Sequence, residues 1–209
     1  MRTDMVTGKK GGRHFSALLL VLIACLLPLG DVAARNFQII PRVGVNMASM
    51  SRPESDWGWY ADMRPGIVAG VSLEFPSTSF LSFEPGIYFS MQGGQSDDAS
   101  LRCDYINIPL NAKVYLYQGL HLLVGPQVGF LLYEGSDEGK HVDSLCRTVD
   151  LGVNFGLGYQ FDFGLNVTMG YYAGVINALE DVYEESDSAK MKKLSSYNRM
   201  LQMTVGWSF

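Results

Sequence analysis

The sequence predicts an all-β fold, an eight-stranded antiparallel up-and-down transmembrane β-barrel. Apolar and polar residues alternate with a period of two through one segment after another. The segments run to about ten residues or more, longer than the ~5–6 of ordinary strands and matched to the ~9–11 that a tilted strand needs to cross a bilayer. The connections between them alternate strictly between short and long, the pattern of outer-membrane barrels.

The chain opens on a different kind of segment. Arg2, Lys9, Lys10 and Arg13 precede the apolar run Ala17 to Leu29, and Val32-Ala33-Ala34 follow at the spacing a signal peptidase accepts. Residues 1–34 are therefore expected to be a cleaved signal peptide, and residues 35–209 the barrel domain. Leu22-Ile23-Ala24-Cys25 also resembles a lipobox. Cleavage there would leave apolar Leu26 to Leu29 beside a lipid anchor, whereas the later site leaves a clean approach to the first strand at Arg35.

The first strand is expected over Gln38 to Met47, with Pro41, Val43, Val45 and Met47 in one phase and Arg42, Gly44 and Asn46 in the other. A loop from Ala48 to Met63 follows. The second strand, Arg64 to Phe75, and the third, Phe80 to Gln92, flank the short turn Pro76 to Ser79. After a polar loop, Gly93 to Arg102, comes the most regular hairpin, Tyr105 to Leu132. Ile106, Ile108, Leu110, Ala112, Val114 and Leu116 alternate with Asn107, Asn111 and Lys113. The phase resumes after Gln118-Gly119-Leu120 with Leu122, Val124, Val128, Phe130 and Leu132. Beyond the loop Glu134 to Arg147, the sixth strand spans Thr148 to Phe161 and the seventh Leu165 to Val175, joined by Asp162-Phe163-Gly164. A long acidic-then-basic loop, Ile176 to Ser196, leads to the last strand, Tyr197 to Phe209. Short turns at one end and long loops at the other put both termini on the periplasmic side of the outer membrane of a Gram-negative cell, with the long loops extracellular.

The polar phase decides between a lipid-facing barrel and a soluble one. Arg42, Glu74, Glu84, Lys113 and Asp150 fall in it, with many glycines and amides. An eight-stranded barrel has a lumen just wide enough for side chains, where charges of both signs form a mutually neutralising network. The other phase is apolar and nearly uncharged, as a lipid-facing band must be, and Tyr105, Tyr117, Tyr133, Tyr159, Trp207 and Phe209 lie near strand ends, where aromatic girdles form. Pro85, Pro109 and Pro126 interrupt strands that have no edge to hide on, and β-bulges are expected to accommodate them.

Removing the leader takes four of 16 basic residues (Arg2, Lys9, Lys10, Arg13) and two of 21 acidic ones (Asp4, Asp31), leaving 12 against 19 and a net charge of −7. With no basic stripe, nucleic acid is not an expected partner. The two cysteines that remain, Cys103 and Cys146, fall at the long-loop ends of the fourth and sixth strands. They are expected to form a disulfide tying two loops together across the fifth strand, the alternative being two free thiols.

Tyr105-Ile106-Asn107-Ile108-Pro109-Leu110 with Ala112-Lys113, Gly125-Pro126-Gln127-Val128-Gly129-Phe130, Gly156-Leu157-Gly158-Tyr159 and Asn198-Arg199 resemble the PorT family of small outer-membrane β-barrel proteins across essentially the whole mature chain. The resemblance implies location and fold. It implies a role in or beside protein secretion for some members, and no catalytic residue. Trp207 and Phe209 look like the signal read by barrel-assembly machinery.

Trp57, Trp59 and Tyr60 in the first long loop read equally as a patch for a partner or as part of the girdle. Asp137, Glu138, His141 and Asp143 are more simply a solvated loop than a cation site. Glu74 and Glu84 could do paired acid and base work, but Arg42 and Lys113 in the same phase make structural ion pairing the simpler reading. No cofactor and no metal are expected. The function expected is that of a monomeric, non-enzymatic interaction or secretion-accessory barrel acting through its loops or periplasmic turns. A narrow channel is the first alternative. A lipid-modifying enzyme is the second, and His121 and His141 are the histidines left to serve it.

Overall fold

The computed structural model describes residues 37–51, 63–96, 99–136, 146–176, 183–185, 191–193 and 197–209. Ten strands are present among them: β1 (Gln38–Ser51), β2 (Arg64–Pro76), β3 (Leu81–Ser96), β4 (Ala99–Tyr117), β5 (Leu120–Ser136), β6 (Val149–Gln160), β7 (Leu165–Gly174), β8 (Tyr183–Glu185), β9 (Met191–Lys193) and β10 (Tyr197–Trp207). Eight of them close into a barrel in the order β1-β10-β7-β6-β5-β4-β3-β2, every neighbour antiparallel. β8 and β9 pair only with each other, a small hairpin in the last long connection. No helix occurs among the described residues. The leader, Cys25, Trp57, Trp59, Tyr60, Asp137, Glu138, His141 and Asp143 lie outside them.

The two-residue period sorts the side chains as a membrane barrel requires. Val43 and Val45 are 64% and 59% exposed, while Lys113 and Asn166 are 0% exposed. A water-soluble protein does the reverse. Apolar side chains can stand toward lipid because a closed sheet pairs its backbone donors and acceptors internally and presents no edge to hydrocarbon. Val153 belongs to this outer face, in phase with exposed Phe155 and Leu157. Val153→Arg is expected to cost about 2–4 kcal/mol near the membrane midplane and to abolish the folded, heat-modifiable species on gels, whereas Asn154→Ser on the lumen side leaves it intact. Equal tolerance of both would reverse the facing of β6.

The start of β1 and the C-terminal Phe209 meet at the short-turn end. Ile39 and Phe209 exchange backbone hydrogen bonds of 3.2 and 3.0 Å there. The turn between β4 and β5 places Gln118 at φ 39° and Gly119 at φ 86°, both left-handed. That is the backbone a two-residue type I′ hairpin needs, and glycine adopts it without steric cost.

Three features differ from expectation. First, the polar stretch Gly93 to Arg102 is not a loop: β3 and β4 pair out to Ser96↔Ala99, and β4 and β5 to Leu101↔Ser136. These strands run past the last β2–β3 pair, Val68↔Ser90, as a three-stranded ribbon. The sequence from Gly93 to Arg102 is polar or small but for Leu101, so it carries no apolar alternation to read.

Second, the prolines sit without bulges. Register is constant across each one, but pairing skips two positions: between Ser72↔Gly86 and Phe75↔Phe83 at Pro85, between Pro85↔Leu110 and Tyr88↔Asn107 at Pro109, and between Pro109↔Gln127 and Ala112↔Val124 at Pro126. The missing donors open three short gaps that step diagonally across neighbouring seams, and the register absorbs them. The bulges lie instead at Asp104/Tyr105 and Tyr115/Tyr117.

Third, Tyr105 is not in the girdle, because it shares the odd, inward phase of Asn107 and Lys113 along β4. Its ring is fully buried, and its hydroxyl donates to the Arg147 carbonyl at 3.0 Å. Tyr117, Tyr133, Tyr159, Trp207 and Phe209 do stand exposed at strand ends. At the short-turn end Tyr159, Phe161, Phe163 and Trp207 form a row with ring centroids 4.8, 5.3 and 5.9 Å apart.

Candidate functional site

Four charged side chains from four strands meet inside the barrel. Arg42 Nη2 of β1 pairs with Glu84 Oε1 of β3 at 2.8 Å, and Lys113 Nζ of β4 pairs with Glu74 Oε2 of β2 at 2.7 Å. Lys113 Nζ also lies 3.5 Å from Glu84 Oε2, so the charges alternate in one continuous row. All four side chains are 4% exposed or less. Neutral groups complete the shell. Arg42 donates to Thr168 Oγ1 at 2.8 Å, Ser72 Oγ donates to Glu84 at 3.0 Å, Tyr115 OH donates to Glu74 at 2.7 Å, and Lys113 donates to Gln160 Oε1 at 2.7 Å. Through Gln160 and Thr168 the row reaches β6 and β7 and so crosses the lumen.

Removing four ions from water costs several kcal/mol each before relaxation, and only mutual neutralisation with added hydrogen bonds offsets it. Two positive and two negative groups meet that condition. The remaining interior is packed with amides and hydroxyls: Asn46 donates to Ser90 at 2.9 Å, and Asn154 donates to Gln127 at 3.1 Å. A cavity of about 50 Å³ lies between Arg42, Asn107, Gln127 and Gln202, room for a few water molecules. Below the ion row a depression of about 410 Å³ opens at the short-turn mouth among Gln38, Tyr115, Gln160 and Ser208.

Asp150 stands apart from this row. It is buried nearer the long-loop end, where its Oδ2 accepts from Tyr172 OH and Asn198 Nδ2, both at 2.9 Å. At the rim above it Cys103 and Cys146 form a disulfide, with Cα atoms 6.5 Å apart. Tyr105 completes this small core, Leu131 packs against it, and Glu134 accepts the Cys146 backbone N–H at 3.0 Å. Beside it Arg102 clamps Asp104 with contacts of 2.9 and 2.6 Å and lies 5.6 Å from the centroid of the Tyr133 ring.

His121 is buried in the lumen. Its Nδ1 is 2.9 Å from the Gly119 carbonyl and its ring is 5.5 Å from that of Tyr115. Glycine at 158 leaves the space it occupies, since a Cβ there would meet the imidazole. Its position two residues past a turn marks it as peripheral in the sequence, and only its odd number, shared with Gln127, signals an inward course. Gln160, Thr168 and Tyr115 are likewise in the inward phase, but nothing local to them announces an ion-pair partner. Among the described residues no group of three or more His, Cys, Asp or Glu is placed to hold a metal ion.

A closed eight-stranded antiparallel sheet with lipid-type side chains outside and a polar interior crossed by a charge-balanced ion row defines an outer-membrane β-barrel. The chain belongs to the outer membrane protein beta-barrel domain family, whose model matches residues 28–180. It is similar in fold to Neisserial surface protein A, at 14% identity over 83% of this chain and 97% of that one, with a TM-score of 0.55. A major outer membrane protein from Thermus thermophilus aligns at 12% identity over 84% and 100% of the two chains, with a TM-score of 0.45. Ail, the attachment invasion locus protein of Yersinia pestis, aligns at 9% identity over the same 84% and 100%, with a TM-score of 0.42. No curated protein matches the sequence.

Proposed function

We propose that the protein is a monomeric, non-enzymatic outer-membrane barrel of the PorT type, exported by cleavage after Ala34, that works through its ends as an interaction or secretion-accessory component. The observation that supports this most is the Arg42, Glu84, Lys113 and Glu74 row, which crosses the lumen beside a cavity of about 50 Å³. Function then belongs to the surfaces at the two mouths. One is the long-loop end, where the disulfide lies and where β1 and β2 flank the sequence that holds Trp57, Trp59 and Tyr60. The other is the short-turn mouth with its aromatic row. In this reading the termini and short turns face the periplasm, the long loops face outward, and Trp207 and Phe209 serve as the signal for assembly.

Two measurements test it. The purified protein in a planar bilayer is expected to give no ion current above that of the bare membrane. Stepwise conductance would replace this reading with that of a narrow channel. A strain lacking the gene is expected to lose a defined set of secreted or surface proteins, with their precursors held in the periplasm. An unchanged export profile would remove the secretion role and leave a surface barrel whose partner is to be sought at Trp57 to Tyr60.

A further inference from the structure

Cys103 lies within β4, laddered to Gln92 of β3 on one side and Glu134 of β5 on the other. Cys146 lies just ahead of β6. Their bond therefore jumps a whole strand and closes a covalent ring, with a sequence separation of 43, that holds most of β4, the tight turn, all of β5 and the loop after it. In the closed barrel both residues are sealed, at 0% and 2% exposed, beneath Tyr105 and Leu131 and behind the Tyr105 bond to Arg147. A protein oxidant must bring its own sulfur into line with the attacking thiolate. A thiol buried in apolar surroundings offers neither access nor a readily formed thiolate.

We propose that this chain is a substrate for a disulfide-exchanging oxidoreductase before its barrel closes, so that assembly in the outer membrane receives a ring and not a linear strand set. One cysteine thiolate attacks the oxidant's disulfide, forming a mixed disulfide and releasing one oxidant thiolate. The second cysteine thiolate then attacks the Sγ of the first and expels the oxidant's other sulfur. The two thiols of this chain lose two protons and two electrons, and the oxidant leaves as a dithiol. The ring holds β5 between two fixed points, the turn at Gln118 and Gly119 and the Cys103 to Cys146 bond, before either neighbouring seam is complete.

The order of events is measurable on the full chain in cells. Pulse-labelled protein is quenched in acid, its thiols are tagged with a high-mass maleimide, and the closed barrel is scored by heat-modifiable migration. Tagging is expected to vanish before the folded band appears, and chains held up by depletion of the barrel-assembly machinery are expected to be fully oxidised. Folded barrel whose two thiols still accept the tag would overturn the proposal, as would assembly-arrested chains that stay reduced. A second measurement uses purified reduced chain. Refolded into detergent, it is expected to react with an oxidised dithiol protein on the order of 100-fold more slowly than in denaturant, because oxidation must wait for the rim to open. Equal rates would overturn the proposal, and failure of the reduced chain to refold at all would support it.

Discussion

Lys113→Met is expected to lower stability by about 3–5 kcal/mol, the penalty of leaving buried charge without its partner. Lys113 is 0% exposed and holds Glu74 at 2.7 Å and Glu84 at 3.5 Å. Methionine keeps the length of the side chain and removes only the ammonium, so packing changes little and two carboxylates face each other across the gap. Arg42 still answers Glu84, but Glu74 is left with the Tyr115 hydroxyl and no cation from the row. Adding Glu74→Gln to the same chain is expected to recover most of the loss, since a neutral pair in a buried site is often no worse than the ion pair it replaces. Urea unfolding of the refolded protein, followed by tryptophan fluorescence, reads both variants. A loss below about 1 kcal/mol for Lys113→Met would mean that the row is solvated, as surface pairs are, and that the lumen is wetter than its packing indicates.

The inward phase of Arg42, Glu74, Glu84 and Lys113 is legible in the sequence because a period of two is a local property of each strand. Which of them touch is not. Glu84 bonds Arg42 across β2, which lies between their strands, and that contact depends on the stagger of β1, β2 and β3, for which no single strand carries a signal. The same limit separates Asp150 from the row: it shares the phase but sits at another height along the barrel. Tyr105 reads as a girdle residue from its place near a strand end, although its odd number already puts it in the inward phase of Asn107 and Lys113. The strand ends beyond Gln92 and before Asp104 are hidden for a different reason. Outside the bilayer neither face needs to be apolar, so a ribbon there has the composition of a loop. The prolines are legible as a problem, and the expected bulges are the wrong kind of answer to it. Skipping two pairs at fixed register keeps the inward and outward faces intact, whereas a bulge at each would flip them.

Removing the disulfide is the second large effect. For a ring with a sequence separation of 43, the loss of loop-closure restraint in the unfolded chain is worth about 4 kcal/mol. Cys146→Ala is expected to show it as a lower urea midpoint, while the barrel still assembles, because the eight ladders and the ion row remain. Alanine is the informative choice, since serine would place a hydroxyl in the small core of Tyr105 and Leu131. The decisive comparison is with Cys103→Ala and with the double variant. If the bond is the source of the stability, either single change already breaks it, and all three proteins are expected to fall together within about 0.5 kcal/mol. If the two sulfurs acted only as packed side chains, the single losses would be smaller and would sum in the double variant. Additive losses would therefore place the contribution in the packing at the rim and not in the covalent link between β4 and the approach to β6.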